Sequence, residues 1–336
     1  MSDACAEALL AIEGLSVHFP TDTGEAAAVH RLDLTLNRGQ ILGLVGESGC
    51  GKSLTSLAIL RLVPQPGRIV SGRICFEGQD LLTLPERQMR KIRGARIAMI
   101  PQDPLTSLNP VYTIGDQLVE AIQLHQRLSR AEARQRAVAL LDQVRLPQAA
   151  QRLDDYPHQF SGGMRQRVMI AMALSCSPDV LIADEPTTAL DVTVQAQILR
   201  LMQEIQRERQ LAILLITHDL GVVAEVCDSV AVMYAGRLIE QGPTASLFAQ
   251  PSHPYTQGLL RSLPVAGRQR LEPIEGQPPT ITEIPSGCAF EPRCAFRMPR
   301  CVDTFPPAFA AAPDQPDHTA RCFLLETPSR ASAESR

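Results

Sequence analysis

The sequence contains no tryptophan, few other aromatic residues and no excess of basic residues. Aromatic side chains make up 4% of the 336 residues while 45% of the residues are hydrophobic, so the core must be mainly aliphatic. An aliphatic core suits a parallel sheet covered by helices better than a sandwich of two sheets. The formal net charge of −4 argues against a general nucleic-acid binder, because such domains tend to be basic. We therefore expect an α/β protein without a nucleic-acid partner.

Long hydrophobic runs are also missing. The apolar run Leu211–Ile216 is far shorter than the roughly 18 to 20 residues that a membrane-spanning helix needs. Near the N-terminus, Asp3 and Glu7 precede the short apolar stretch Leu9–Ile12, which does not fit the basic start of a secretory signal. We therefore expect no secretory signal, and we expect any role at a membrane to depend on a partner protein.

The sequence has nine cysteines, an odd number, and the first five show no regular spacing. Scattered thiols of this kind are typical of proteins from reducing compartments, where unpaired cysteines are tolerated. We therefore expect these five to be free thiols of a cytoplasmic protein. They are Cys5, Cys50, Cys75, Cys176 and Cys227.

A glycine-rich loop lies between an apolar strand, Gln40–Val45, and an apolar helical run, Leu54–Val63. The loop Gly46–Ser53 has the pattern G-x4-G-K-S, and this context is that of a phosphate-binding loop. Backbone N–H groups and the helix N-terminus surround the phosphates in such loops. We predict that Lys52 reaches the β- and γ-phosphates of a nucleotide and that the Ser53 hydroxyl ligates Mg²⁺. The predicted cradle comprises Gly46, Glu47, Ser48, Gly49, Cys50, Gly51, Lys52 and Ser53.

A second apolar strand, Val180–Ala183, is followed by two acidic residues. Burial in a parallel sheet explains the apolar run but not the carboxylates at its end. Ligand sites of such sheets lie outside the carboxyl ends of the strands. We predict that Asp184 holds Mg²⁺, directly or through water, and that Glu185 polarises the attacking water. An acid pair after a strand can be merely structural, but the neighbouring phosphate-binding loop favours the catalytic interpretation.

A second candidate anion site lies just upstream of this acidic strand. Ser161 is a favourable N-cap residue, and Gly162 and Gly163 let the backbone approach an anion at the start of an apolar helix that runs to Leu174. One nucleotide needs only one phosphate cradle. The second helix start therefore makes sense if it closes over a nucleotide that another subunit holds.

Together these motifs resemble those of ABC ATPases. Phe160–Met164 resembles the signature LSGGQ, with Phe for Leu and Met for Gln; the second change removes a possible hydrogen bond but Ser161, Gly162 and Gly163 are kept. The remaining elements of the family occur in order along the chain. Phe19 resembles the A-loop aromatic that stacks on adenine, and Gln102 resembles the Q-loop residue that senses Mg²⁺ and the membrane subunit. Thr188–Asp191 resembles the D-loop, and His218 resembles the switch histidine near the γ-phosphate.

The resemblance implies an α/β fold with a P-loop NTPase (RecA-like) core, an antiparallel β subdomain, a helical subdomain and a small C-terminal extension. We expect an ATPase domain over residues 1–245, with the helical subdomain at about residues 103–165, and the extension over residues 246–336. Within the helical subdomain, Ser129–Glu132 is a capping box that begins an amphipathic helix. The resemblance also implies ATP and Mg²⁺ as cofactors. The catalytic residues that it implies are Glu185, His218, Lys52 and Gln102.

Two further segments resemble the ATPase subunits of oligopeptide and dipeptide importers: His253–Thr256, which reads HPYT, and Pro101–Pro110. The resemblance covers about residues 8 to 325. It implies a heterodimer with a second ABC ATPase, two transmembrane permeases and an extracytoplasmic substrate-binding protein. It also implies a peripheral position on the cytoplasmic face of the inner (cell) membrane of a bacterium or archaeon.

Other functions are compatible with parts of this pattern. Importers of nickel, sugars and antimicrobial compounds share this type of ATPase. A soluble ABC ATPase acting on DNA or ribosomes fits less well, because the chain has neither a long coiled-coil insertion nor a second ATPase core. A P-loop kinase would not need the second helix start.

The last four cysteines are spaced C-x5-C-x6-C-x20-C. Zinc sites usually have more closely spaced pairs, whereas a cubane iron–sulfur cluster tolerates varied spacing. The family resemblance also points to a 4Fe–4S cluster here. We predict such a cluster with a structural role, because a proline-rich segment buries little surface of its own; zinc and unliganded thiols are the alternatives. The predicted ligands are Cys288, Cys294, Cys301 and Cys322.

Overall fold

The computed structural model of the chain describes residues 4–22, 24–103, 107–188, 190–263 and 274–326. Parts of three sequence segments lie outside these ranges. They are residues 104–106 of Pro101–Pro110, Ala189 of the predicted D-loop Thr188–Asp191, and Pro264 and Pro273 of the proline-rich segment Pro264–Pro285.

A buried sheet of five parallel strands forms the centre of the protein. Its strands are β3 (Ile41–Val45), β6 (Ile97–Ile100), β7 (Val180–Asp184), β8 (Ala212–Thr217) and β9 (Ser229–Tyr234). They lie side by side in the order β9-β3-β8-β7-β6. Nearly all their residues are buried and aliphatic, as parallel strands covered on both faces require. The predicted P-loop NTPase core is confirmed.

A second, antiparallel sheet packs beside the helix that follows the phosphate-binding loop. Its strands are β1 (Leu10–Thr21), β2 (Gly24–Leu36), β4 (Arg68–Phe76) and β5 (Gln79–Asp80), in the order β2-β1-β4-β5. The accompanying helices are α1 (Ala4–Glu7), α2 (Lys52–Ile59) and α3 (Glu86–Ile92). Apolar residues of this sheet, of α2 and of the central strands form one buried cluster, so the antiparallel subdomain is packed onto the core.

One expectation about the cysteines is wrong. Cys5 and Cys75 are joined by a disulfide, with Cα atoms 5.5 Å apart. Residues 10–13 of β1 pair with residues 73–76 of β4, which carries α1 and its Cys5 to a position beside Cys75. The two thiols are 70 residues apart in sequence, so their spacing alone could not reveal the contact. The other seven cysteines are free.

A helical region follows β6. It consists of α4 (Ile114–His125), α5 (Arg130–Gln143), α6 (Ala149–Arg152) and α7 (Gly162–Ala173). The predicted capping box at the start of α5 is confirmed: Ser129 Oγ accepts from the Glu132 amide at 3.3 Å, and Glu132 Oε2 accepts from the Ser129 amide at 2.8 Å. The apolar face of α5 is buried, as its periodicity predicts.

The C-terminal segment, residues 237–326 as far as they are described, continues the central sheet. Its strands are β10 (Arg237–Pro243), β11 (Phe309–Ala312) and β12 (Gln315–Ala320), and its helices are α10 (Thr244–Ala249), α11 (Pro254–Arg261) and α12 (Arg300–Asp303). β10 pairs with β9, β12 with β10 and β11 with β12, all antiparallel, which extends the sheet to eight strands. The helices α8 (Val192–Arg209) and α9 (Leu220–Val226) complete the fold. Within the described ranges, no helix combines the length and apolarity of a membrane span.

The carboxylate of Glu240 fastens this segment to the core. The side chain is fully buried on β10 and accepts from the amides of Ser252 and His253, both at 2.8 Å. It also contacts His318 Nε2 on β12 at 2.7 Å. One buried carboxylate therefore connects three parts of the chain.

We predict that Glu240→Ala lowers the free energy of unfolding by about 3 kcal/mol or more, because each buried donor left without an acceptor costs about 1–3 kcal/mol. Urea denaturation followed by circular dichroism measures the change. The control is Glu225→Ala, which removes an exposed carboxylate of α9 and should change stability by no more than about 0.5 kcal/mol. Equal stability of the two variants would contradict the role of Glu240.

Candidate functional site

The predicted site residues follow the carboxyl ends of neighbouring strands. The loop Gly46–Ser53 follows β3, and Gln102 follows β6. Asp184 ends β7, Glu185 comes directly after it, and His218 follows β8. Because these strands are parallel and lie in the order β3-β8-β7-β6, their carboxyl ends meet at one edge of the sheet. Residues 33 and 83 positions apart in sequence are thereby brought into contact.

Glu185 lies at the centre of this edge. Its carboxylate contacts His218 Nδ1 at 3.0 Å and accepts from Gln102 Nε2 at 3.1 Å and Thr188 Oγ1 at 3.0 Å. Burial by itself would raise the pKa of Glu185, but these hydrogen bonds outweigh it and hold the pKa below its ordinary value. The side chain is therefore an oriented carboxylate, ionised at neutral pH, as a group that accepts a proton from water must be.

The backbone also constrains Glu185. Its φ of 47° lies in the left-handed region, which non-glycine residues rarely adopt. The Glu185 amide donates to the carbonyl of Ile216 on β8 at 2.8 Å, and this bond holds the turn. Unusual backbone conformations of this kind concentrate at functional sites.

The phosphate-binding loop is folded tightly around Lys52. Lys52 Nζ donates to the carbonyls of Gly46 at 2.7 Å and Glu47 at 3.0 Å, and the residue is only 5% exposed. Gly46 has a φ of 155°, and a Cβ there would lie 2.2 Å from the Met233 carbonyl. Only glycine fits this position, so the first glycine of the motif is required by packing as well as by any ligand.

Asp184 and Ser53 form an oxygen-rich pair beside this loop. Burial raises the pKa of Asp184, and the hydrogen bond with Ser53 only partly opposes this effect. Asp184 is 2% exposed, and its Oδ1 has no hydrogen-bond partner among the described residues. A buried carboxylate oxygen without a partner, next to a hydroxyl, fits the preference of Mg²⁺ for oxygen ligands.

The signature and D-loop residues form a second group. Ser161 Oγ caps α7 by accepting from the Met164 amide at 3.3 Å, and Asp191 caps α8 by accepting from the Val194 amide at 2.9 Å. A Cβ on Gly163 would lie 2.5 Å from the Val194 side chain, so the two helix starts touch. Ser161, Gly162 and Asp191 are exposed. This group therefore exposes the capped starts of α7 and α8 at the surface.

Phe19 lies on β1, where it pairs with Ala26 of β2. Its ring packs against Gly67 and the buried cluster that includes the antiparallel sheet. The predicted stacking on adenine stays a prediction.

The four late cysteines lie near one another. Burial, together with the three neighbouring thiols, raises the pKa of Cys288 to about 11. Burial also raises the pKa of Cys294 and Cys322, which disfavours the thiolate that a metal needs. In the part of the chain that the structure describes, no group of three or more His, Cys, Asp or Glu side chains is arranged to hold a metal ion. The structure therefore gives the predicted 4Fe–4S cluster no support.

Two functional contacts were not predicted from the sequence. Thr188 resembles only the start of the D-loop, yet its hydroxyl donates to Glu185; its position three residues after the acid is the signal that could have indicated this contact. Arg293 forms an ion pair with Glu47 of the phosphate-binding loop, 246 residues away, and no local pattern indicates it.

Comparison with known proteins agrees with this geometry. The ABC transporter family model matches residues 29–188, and the model for the C-terminal region of oligopeptide/dipeptide transporters matches residues 239–301. The chain is 51% identical over 326 residues to a probable peptide ABC transporter ATP-binding protein of Sinorhizobium fredii, which covers 96% of each chain. It is 50% identical over 324 residues to a dipeptide transport ATP-binding protein of Bacillus subtilis, covering 95% of this chain and 96% of the relative. The chain belongs to the oligopeptide/dipeptide family of ABC transporter ATP-binding subunits.

Solved structures of other ABC subunits share the fold. A dimeric bacterial ABC transporter cassette matches with a TM-score of 0.63 at 24% identity, covering 70% of this chain and 98% of that chain. A subunit of the ABC transporter complex cbiONQ of Clostridium perfringens matches with a TM-score of 0.61 at 28% identity, covering 73% and 92%. As an ABC subunit, the chain is an ATPase coupled to transport that uses ATP and Mg²⁺. Such subunits work with transmembrane permeases and a substrate-binding protein.

We predict that Asp184→Asn raises the Mg²⁺ concentration needed for half-maximal ATP hydrolysis by about tenfold or more, because the substitution removes the charge that attracts the ion. The measurement is a Mg²⁺ titration of ATPase activity in the assembled transporter. Asp142→Asn, which neutralises an exposed carboxylate of α5, is the control and should leave the titration unchanged. An unaltered Mg²⁺ requirement in Asp184→Asn would rule out this residue as the Mg²⁺ site.

Proposed function

We propose that this ABC subunit hydrolyses ATP at Glu185 and thereby drives the import of dipeptides or oligopeptides. The observation that carries the proposal is the convergence of Gln102, Thr188 and His218 on one ionised carboxylate at the end of β7. The peptide assignment rests on the relatives, which are named as dipeptide and oligopeptide transport proteins.

In the proposed reaction, the loop Gly46–Ser53 binds the phosphates and Lys52 exchanges its loop carbonyls for phosphate oxygens. Asp184 and Ser53 would hold Mg²⁺, whose charge would offset that of the transferred phosphoryl group. Glu185 orients the attacking water and accepts its proton. His218 and Gln102 both contact Glu185 and keep its carboxylate in place. When the γ-phosphate binds or leaves, these two side chains move and so displace the segments that carry them.

The site is completed by a second ATPase subunit in this proposal. The exposed start of α7, with Ser161, Gly162 and Gly163, is a helix N-terminus that can bind the γ-phosphate of a nucleotide held by the other subunit. Asp191 fixes the adjoining helix start. We propose a heterodimer with a sister subunit, placed at the cytoplasmic face of the inner membrane.

Contact with the permeases is assigned to the surface just after Gln102. Val111 and Tyr112, which are adjacent in sequence, are 72% and 55% exposed and so offer two neighbouring apolar side chains to a partner. They lie nine and ten residues after Gln102 in the sequence, and we propose that nucleotide binding at Gln102 and permease contact at this surface are coupled.

A nickel importer or an importer of another small solute is the alternative. The binding protein decides between the two. ATP hydrolysis by the reconstituted transporter should rise when its binding protein carries a peptide. Stimulation by a Ni²⁺-loaded binding protein alone would reject the peptide assignment.

We predict that Glu185→Gln keeps ATP affinity but slows hydrolysis by at least about 100-fold, because the amide cannot accept the proton of water. The variant should accumulate as an ATP-bound closed dimer with the partner subunit, which size-exclusion chromatography detects. Glu225→Gln, an exposed change on α9, should turn over normally. Near-normal turnover by Glu185→Gln would refute the assignment of the catalytic carboxylate.

The prediction of an iron–sulfur cluster is open to a direct test. What supports it is the spacing C-x5-C-x6-C-x20-C of Cys288, Cys294, Cys301 and Cys322, together with the resemblance to peptide importers. Protein purified anaerobically should contain about four irons per chain. Cys294→Ser should lose the iron, whereas Cys176→Ser, at a free cysteine outside the cluster, should keep it. Stoichiometric zinc without iron would reject the cluster, and the absence of both metals would reject any metal site.

A further inference from the structure

The C-terminal segment reaches into the phosphate-binding loop through one arginine. Arg293 lies in the short 3₁₀ turn Glu291–Arg293, between two of the late cysteines. Its Nη1 donates to Glu47 Oε2 at 2.7 Å and its Nη2 donates to Glu47 Oε1 at 3.0 Å. This two-pronged contact is the strongest arrangement of an arginine and a carboxylate. The Arg293 side chain is 5% exposed and that of Glu47 is 26% exposed.

The guanidinium of Arg293 is held in this orientation by its own surroundings. Nη1 also donates to the Tyr234 hydroxyl at 3.2 Å, Nε donates to the Glu275 carbonyl at 2.9 Å, and Nη2 donates to the Ile274 carbonyl at 3.3 Å. The Tyr234 and Phe290 rings lie 5.8 Å from the guanidinium carbon. An arginine fixed on several sides loses little further freedom when it binds a carboxylate.

The backbone of Glu47 is fixed from the same side. The Glu47 amide donates to the hydroxyl of Tyr255, in the HPYT segment, at 2.9 Å. Tyr255 packs against Tyr234 with ring centroids 4.6 Å apart and against Phe290 at 5.4 Å. The side chain of Glu47 is therefore held by Arg293, and its backbone is held by Tyr255. Both of these residues follow β9 in the chain.

The negative charge of Glu47 explains why its side chain must be paired with Arg293. Glu47 is the second residue of the phosphate-binding loop, and its carbonyl accepts from Lys52, the cation that should bind the phosphates. An uncompensated carboxylate here would repel a polyphosphate and attract Lys52 away from it. Although burial lowers the pKa of Arg293, its hydrogen bonds with Glu47 and Tyr234 outweigh this and raise it, so the compensating charge is permanent.

We propose that Arg293 is a positioning residue for ATP: it neutralises Glu47 and holds it away from the phosphates, so that the C-terminal segment sets the affinity of the phosphate-binding loop. This inference rests on the proposed role of Gly46–Ser53 as the phosphate cradle. It gives a segment outside the ATPase core a direct effect on nucleotide binding.

The test is a double-mutant cycle on the full-length chain, with ATP affinity measured by titration calorimetry. Arg293→Gln should weaken ATP binding about tenfold, because it leaves the Glu47 carboxylate uncompensated. In a Glu47→Gln background the same Arg293→Gln change should cost less than about twofold. In the assembled transporter, Arg293→Gln should raise the KM for ATP and leave kcat nearly unchanged.

Two further variants separate the possible outcomes. Arg300→Gln breaks another ion pair of the C-terminal segment, with Glu326, and should leave ATP affinity unchanged. Lys52→Ala should abolish ATP binding if the cradle is assigned correctly. If Lys52→Ala weakens binding and Arg293→Gln does not, the role of Arg293 is refuted while the proposed function stands. If Arg293→Gln is equally costly in the native chain and in the Glu47→Gln background, the arginine is only structural and the inference also fails. Unchanged affinity in Lys52→Ala would overturn the cradle and the inference together.

Discussion

The ionised carboxylate of Glu185 is the interaction on which the arrangement of the site depends. It can be held by Gln102, Thr188 and His218 only because β6, β7 and β8 are adjacent and parallel, so that the segments after them begin at one edge of the sheet. The left-handed backbone of Glu185 and its bond to Ile216 turn the side chain toward these partners. In the proposed reaction, a carboxylate held in this way needs no rearrangement before it accepts a proton from water.

The phosphate-binding loop is constrained from the opposite side. Gly46 packs against the carbonyl of Met233, and Glu47 is held by Tyr255 and Arg293. The residues that hold the loop belong to β9 or to the chain beyond it, and this part of the chain also extends the central sheet. The C-terminal segment is thus part of the support of the nucleotide site, in addition to any role of its cysteines.

Local sequence predicts those parts of the site that one continuous segment can form. The strand, loop and helix around Gly46–Ser53, the acids at the end of β7 and the cap of α5 each follow from residues within about ten positions of one another. The contacts that were not predicted join distant segments: Cys5 with Cys75 through antiparallel pairing, and Arg293 with Glu47 through the packing of the C-terminal segment. Neither leaves a periodic or local signal, because its geometry depends on strand order.

We infer that two ATPase subunits bind each ATP together. The phosphate-binding loop of one subunit holds the phosphates, and the signature helix of the other, which is α7 in this chain, closes over them. The structure of the assembled transporter, determined with Mg²⁺ and a non-hydrolysable ATP analogue, tests this central claim most directly. We expect the γ-phosphate to contact Lys52 and to lie beside Glu185 and His218, with the signature helix of the second ATPase subunit on its other side. A nucleotide whose phosphates are contacted by this chain alone, with Ser161 facing solvent in the closed assembly, would contradict the account.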